Sequence, residues 1–158
     1  MFNPDKFQWQ AFNARDHVPA QVLPWILDNS SLTAKLKNKY SDFHVNVISQ
    51  VENTPYNCEL KLLGGIEDET IIVREVELMG EKQPVVFARS VIPKTSDTNK
   101  LLAIGSKPLG EILFDDPLIY RDQLEVGQHQ GTWARRSTFV VGATKLLVSE
   151  IFLEKLYA

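Results

Sequence analysis

Thr70-Ile-Ile-Val-Arg-Glu-Val-Glu-Leu78, then Met79-Gly-Glu-Lys-Gln-Pro84, then Val85-Val-Phe-Ala-Arg-Ser-Val-Ile92, is the stretch that decides how the rest of the chain is read. Two runs rich in β-branched residues flank a short polar turn, which is the pattern of an antiparallel hairpin. Successive side chains on a strand point to opposite faces. Glu75 and Glu77 therefore share a face with Ile71 and Val73, whereas Arg74 shares one with Ile72, Val76 and Leu78. Arg74 is the charge on the apolar side, and a buried cation requires something to interact with.

Working outward, Phe43-His-Val-Asn-Val-Ile-Ser-Gln50 alternates cleanly. It predicts a half-buried strand with Phe43, Val45 and Val47 on one face and His44, Asn46 and Gln50 on the other. Residues 53–69, rich in Asn, Pro and Gly, read as a loop. A strand is predicted over 118–126, and a final hairpin over 132–141 and 146–153 around Gly142-Ala-Thr. In its second run, Lys145-Leu-Leu-Val-Ser-Glu-Ile-Phe-Leu153, Glu150 sits among apolar residues with Val148 and Phe152 as same-face neighbours.

Two helical pairs are inserted among these strands. Residues 24–27 form a short apolar piece, and a helix follows from Leu32 with Ser30 or Ser31 as its cap. Leu101, Leu102 and Ile104 form another piece ended by Gly105, and a helix over 106–114 has Ser106 as cap and Pro108 in its first turn. The two pairs share a layout, but no residue-level repeat links them. The pattern predicts one α+β domain over residues 1–158, an antiparallel sheet with helices, preceded by a docked arm at residues 1–18.

Composition narrows the function. The 158 residues are 44% hydrophobic with a formal net charge of -3, which gives no electrostatic footprint for nucleic acid. No apolar run is long enough for a membrane helix, and the N-terminus lacks the apolar core of a secretory signal, so a cytoplasmic protein is expected. Cys58 is the single cysteine, which excludes an internal disulfide. His17, His44 and His129 are too scattered to predict a triad or a metal site. Gly64, Gly65, Gly105 and Gly110 make no phosphate-cradling motif.

The candidate chemistry therefore lies in Arg74 and Glu150, with helix starts near Leu32 and Leu109. An Arg fork suits a carboxylate and a Glu can accept from a hydroxyl, so the set suits a small hydroxylated acid held at its two ends. Helix N-termini favour the same anionic ligand. The pattern alone also fits a direct ion pair between Arg74 and Glu150, which is the commoner role for such residues. Arg89, Arg135 and Arg136 are further candidates for a second carboxylate, with surface or structural roles as the commoner alternative. Arg135 and Arg136, being adjacent, face opposite ways.

Five segments, in order and spacing, resemble the chorismate pyruvate-lyase family: Ile72-Val-Arg-Glu-Val-Glu-Leu78, Val86-Phe-Ala-Arg-Ser-Val-Ile-Pro93, Lys107-Pro-Leu-Gly-Glu-Ile-Leu-Phe114, Trp133-Ala-Arg-Arg-Ser137 and Leu146-Leu-Val-Ser-Glu-Ile-Phe-Leu153. Asp28-Asn-Ser-Ser-Leu-Thr33 matches as well, and the resemblance covers residues from about 22 to 157. It implies a monomeric, cofactor-free lyase converting chorismate to 4-hydroxybenzoate and pyruvate for ubiquinone biosynthesis. The implied fold is a six-stranded antiparallel sheet with helices on one side and helical flaps over a buried site. Carried over by position, Arg74 binds the ring carboxylate, the backbone at Leu32 and Leu109 adds hydrogen bonds to it, and Glu150 meets the ring hydroxyl. The family often has Met where Leu32 stands, a change that a backbone contact tolerates. The same fold also resembles effector-sensing domains, so a noncatalytic aromatic-acid-binding module is the alternative, and a relative making another hydroxybenzoate isomer is a third reading.

Overall fold

The hairpin read from residues 70–92 lies inside the sheet of the computed structural model, which describes residues 2–12, 18–26 and 31–158. In chain order the elements are β1 (Gln8–Ala11), α1 (Leu23–Ile26), α2 (Leu32–Lys39), β2 (His44–Glu52), α3 (Asn57–Leu63), β3 (Ile71–Gly80) and β4 (Gln83–Pro93). They continue with α4 (Asn99–Leu102), α5 (Leu109–Asp115), β5 (Ile119–His129), β6 (Thr132–Val141) and β7 (Thr144–Phe152). All strand pairs are antiparallel, in the order β1-β5-β6-β7-β4-β3-β2. The architecture is the expected α+β sheet, with the docked arm supplying β1 as a seventh strand.

The tight turn between β3 and β4 puts Glu81 and Lys82 at positive φ, a region costly for residues with a Cβ. The Asp42 carboxylate compensates by accepting from both backbone N–H groups, at 2.8 and 3.0 Å. Gly127 on β5 serves the arm. Its register partner is Trp9, and a Cβ there would fall 2.5 Å from the Trp9 ring. The same ring lies 4.0 Å from the Arg136 guanidinium carbon, so the arm is fixed by aromatic and cation–π contact as well as by strand pairing.

One sheet face is covered by α1, α2, α4 and α5. Trp25, Ile26, Leu32 and Leu36 pack on Val76, Leu78, Val86 and Phe152. Leu101, Leu109 and Leu113 pack on Ile92, Phe139, Leu146 and Val148. The other face carries α3, whose Leu63 packs against Val73, Val91 and Leu147. The helices thus divide between the two faces, with the four that flank the site on one side and α3 alone behind it.

That third helix lies within residues 53–69, which the sequence presents as a loop. Seven residues make barely two turns, too short to be helical on propensity alone. Tertiary anchors hold it: Glu59 is fully buried, accepts from Tyr56 N at its own N-terminus, and receives the Arg89 fork through Nε and Nη2, both at 2.9 Å. The Cys58 backbone N–H donates to Asp5 of the arm at 3.0 Å.

Ser31 caps α2 as expected, accepting from Ala34 N; Ser30, the other candidate, lies outside the described residues, as do Leu27, Asp28 and His17. The start of α5 differs from expectation. Its cap is Pro108, in extended conformation and without a side-chain bond, and Ser106 precedes it without capping. The Pro108 ring fixes φ near the helical entry value and thereby sets the start. No helix among the described residues is long and apolar enough to cross a membrane.

Candidate active site

Arg74 comes from the centre of β3 and is 2% exposed. Its neighbours are neutral: Nη1 donates to Gln50 Oε1 at 3.0 Å and Nη2 to the Lys107 carbonyl at 3.2 Å. Burial pulls its pKa below the usual arginine range, yet an arginine remains charged throughout the working range of pH. Among the described residues no carboxylate pairs with it. This is unusual, since an ion taken from water without a counter-charge is strongly penalised.

The alternation of β2 places Gln50 on the outward face with His44 and Asn46. The structure corrects this. Val47 pairs with Val76 and Ser49 with Glu75, so Ile48 is one residue extra, and beyond it Gln50 lies opposite Arg74. A bulge reverses the phase of everything after it, and this one turns Gln50 inward. Nothing in the sequence marks Ile48 as the bulged residue.

Glu150 projects from β7 on the same face as Arg74. Its partner is Arg135, directly opposite on β6, whose Nε donates to Glu150 Oε1 at 2.7 Å. Arg135 is fully buried, and its Nη1 also reaches the Trp25 and Ile26 carbonyls of α1. A direct Arg74–Glu150 pair, which the sequence pattern allows, is not formed. Arg135 satisfies Glu150 instead, while Arg74 and Glu150 line a common cavity with Thr33, Ser90, Leu109 and Gly110.

That cavity holds about 30 Å³, room for an ordered water. An aromatic ring needs more, since roughly 150 Å³ accommodates benzene. Thr33 belongs to α2 and Leu109 and Gly110 to α5, so its roof is the meeting of the two helical pairs, bridged at the surface by Lys37 Nζ and Glu111 Oε2 at 2.7 Å. Entry of a ring-sized ligand requires these helices to part.

The family model described as chorismate lyase matches residues 3–158. The chain belongs to the chorismate lyase family. A protein of Aromatoleum aromaticum named probable chorismate pyruvate-lyase is 36% identical over 173 aligned positions, covering 95% of this chain and 94% of its own. One of Psychromonas ingrahamii with the same name is 37% identical, covering 92% and 89%. Another, of Pseudoalteromonas translucida, is 33% identical over 94% and 93%.

In this member of the chorismate lyase family, three of the four residues singled out in the sequence, Arg74, Leu109 and Glu150, line one cavity. Leu32 opens α2 immediately before cavity-lining Thr33 and packs into the core itself. The three further arginines singled out in the sequence are buried and each faces a carboxylate: Arg89 with Glu59 and Glu75, Arg135 with Glu150, Arg136 with Glu125. None is a surface residue. Thr33, Gln50 and Ser90 were not signalled, because a small or amide side chain in a strand or a first helical turn is commonplace.

Proposed function

We propose that the protein is a chorismate pyruvate-lyase, releasing pyruvate and 4-hydroxybenzoate from chorismate, and that the product enters ubiquinone-type biosynthesis. The observation that carries this reading is Arg74: a buried guanidinium with only neutral partners, in one cavity with Glu150. The membership of the chain in the chorismate lyase family supports the choice of substrate.

In the proposed reaction the bond between a ring carbon and the enolpyruvyl oxygen breaks, and its electron pair leaves with the oxygen. The hydrogen on the adjacent, hydroxyl-bearing ring carbon departs as a proton, and the electrons of that C–H bond complete the aromatic ring. The enolpyruvate gains a proton on carbon and becomes pyruvate. Aromatisation supplies the driving force, so the protein's part is mainly orientation and exclusion of water. Arg74 anchors the ring carboxylate with its charged fork. The backbone at Leu32 and Leu109 supports that end, and Glu150, kept in place by Arg135, accepts from the ring hydroxyl. The reading requires no cofactor.

Incubating purified protein with chorismate and identifying the aromatic product tests the reading. Formation of 4-hydroxybenzoate with an equal amount of pyruvate is the expected result. No product above the uncatalysed background would leave a noncatalytic aromatic-acid-binding module, and a different hydroxybenzoate would remove the specific assignment.

A further inference from the structure

We infer that Gln50 is a positioning residue: it keeps Arg74 available as an anion receptor by satisfying its hydrogen bonding without neutralising its charge, and it ties that receptor to the second helical pair. The inference deepens the lyase reading, since it rests on Arg74 being the carboxylate anchor.

The three other buried strand arginines named above each face a carboxylate. Arg74 faces two uncharged oxygens, Gln50 Oε1 and the Lys107 carbonyl. Those bonds orient the fork and leave the rest of its five donors and its whole charge for a ligand. A carboxylate at position 50 would sit where Oε1 now sits and would compete with the ligand from within the protein. The difference between Gln and Glu at this position is thus the difference between an anion site and a finished ion pair.

Both partners of Arg74 also lead to the same pair of helices. The Gln50 amide donates from Nε2 to the Leu102 carbonyl of α4 at 2.8 Å, and Lys107 lies just ahead of Pro108 and Leu109 at the start of α5. When α4 and α5 part from the sheet to admit a ring, both links are strained. When a carboxylate draws the Arg74 fork into its bound position, the same links favour closure. Gln50 therefore couples occupancy of the anion site to the seating of the α4–α5 roof.

Gln50→Glu and Gln50→Met distinguish this role from plain packing. Binding of 4-hydroxybenzoate is measured by calorimetry at neutral pH, Tm by circular dichroism, and KM and kcat with chorismate. Gln50→Glu is expected to bind at least tenfold more weakly while melting at or above the wild-type temperature, because Arg74 gains a counter-charge, and its KM rises by a larger factor than its kcat falls. Gln50→Met, which loses both hydrogen bonds but adds no charge, is expected to melt lower and lose less affinity than Gln50→Glu. Wild-type affinity in Gln50→Glu, or losses in both variants that simply follow their Tm, would overturn the inference. Because binding is read without turnover, a wild-type protein that binds 4-hydroxybenzoate but converts no chorismate sinks the lyase reading alone, and the Gln50 comparison still decides this one. A wild-type protein that binds no aromatic carboxylate overturns the anion site and the role of Gln50 together.

Discussion

Arg74 and Glu150 face one cavity from strands two apart, with β4 between them contributing only Ala88 and Ser90 to the floor. Strands are spaced about 4.8 Å apart, so the two backbones are separated by roughly 10 Å. Arg74 pairs in register with Ser90 and Glu150 with Ala88, which sets them diagonally as well. A large residue at either β4 position would fill the gap; the small ones leave a cavity of about 30 Å³. The geometry holds the charges of opposite sign apart on two strands of one sheet face.

Ala88→Leu is expected to weaken 4-hydroxybenzoate binding more than tenfold, because its added carbons occupy the space between Arg74 and Glu150. The stability loss from overpacking should stay within about 1–3 kcal/mol. Calorimetric binding together with a chemical denaturation curve separates the two effects.

Removing each end of the charge arrangement should move stability in opposite directions. Arg74→Gln deletes a buried charge that has no carboxylate partner, so it should leave stability unchanged or raise it while weakening carboxylate binding by about 1.5–3 kcal/mol, roughly 10- to 150-fold. Glu150→Gln removes the charged acceptor of the buried Arg135 Nε and should destabilise by about 1.5–3 kcal/mol, the worth of a hydrogen bond between charged groups. Full turnover in Glu150→Gln, measured on folded protein, would exclude an obligatory proton transfer through that carboxylate.

Behind the sheet, the Arg89–Glu59 fork holds α3. Arg89→Met alone is expected to cost about 3–5 kcal/mol, since it leaves the buried Glu59 carboxylate unmatched, and Glu59→Leu alone to cost less, because Arg89 keeps Glu75. The double variant Arg89→Met with Glu59→Leu should recover much of that loss. Additive losses in a double-mutant cycle by urea denaturation would show that the pair does not act as a unit.

The turn carried by Asp42 gives a pH signature. Backbone hydrogen bonding, first from Glu81 and then from Lys82, holds the Asp42 carboxyl below its usual 3.8. A depressed carboxyl pKa contributes stability that is present above the unfolded-state value and is lost as pH falls through the folded-state one. Asp42→Ala should therefore melt below wild type at neutral pH, with the gap closing as the pH is taken below about 4. A gap that stays constant across that range would mean the ionised carboxylate is not what supports the turn.

Much of this protein is readable from local alternation. The period of two along residues 70–78 and 145–153 is enough to put Arg74 and Glu150 on apolar strand faces, because the side-chain direction of a strand is fixed by its own backbone. The turns at 79–84 and 142–144 follow from short-range chemistry, and Ser31 caps α2 for the same reason. The ordered segments of family resemblance cover the same elements.

What depends on contact between distant segments was not readable. Gln50 faces Arg74 only because Ile48 is bulged against β3, and parity alone puts it outside. Residues 57–63 are helical because Arg89 of β4 and Asp5 of the arm reach them. Glu150 is bonded to Arg135 rather than to Arg74 because β6 and β4, not β3, are the neighbours of β7. The sequence by itself determined which faces carry charge, since that is a property of each strand. Which charges meet was decided by strand order and register, which depend on the whole packed chain, and these left Arg74 as the cation with neutral partners beside a small cavity.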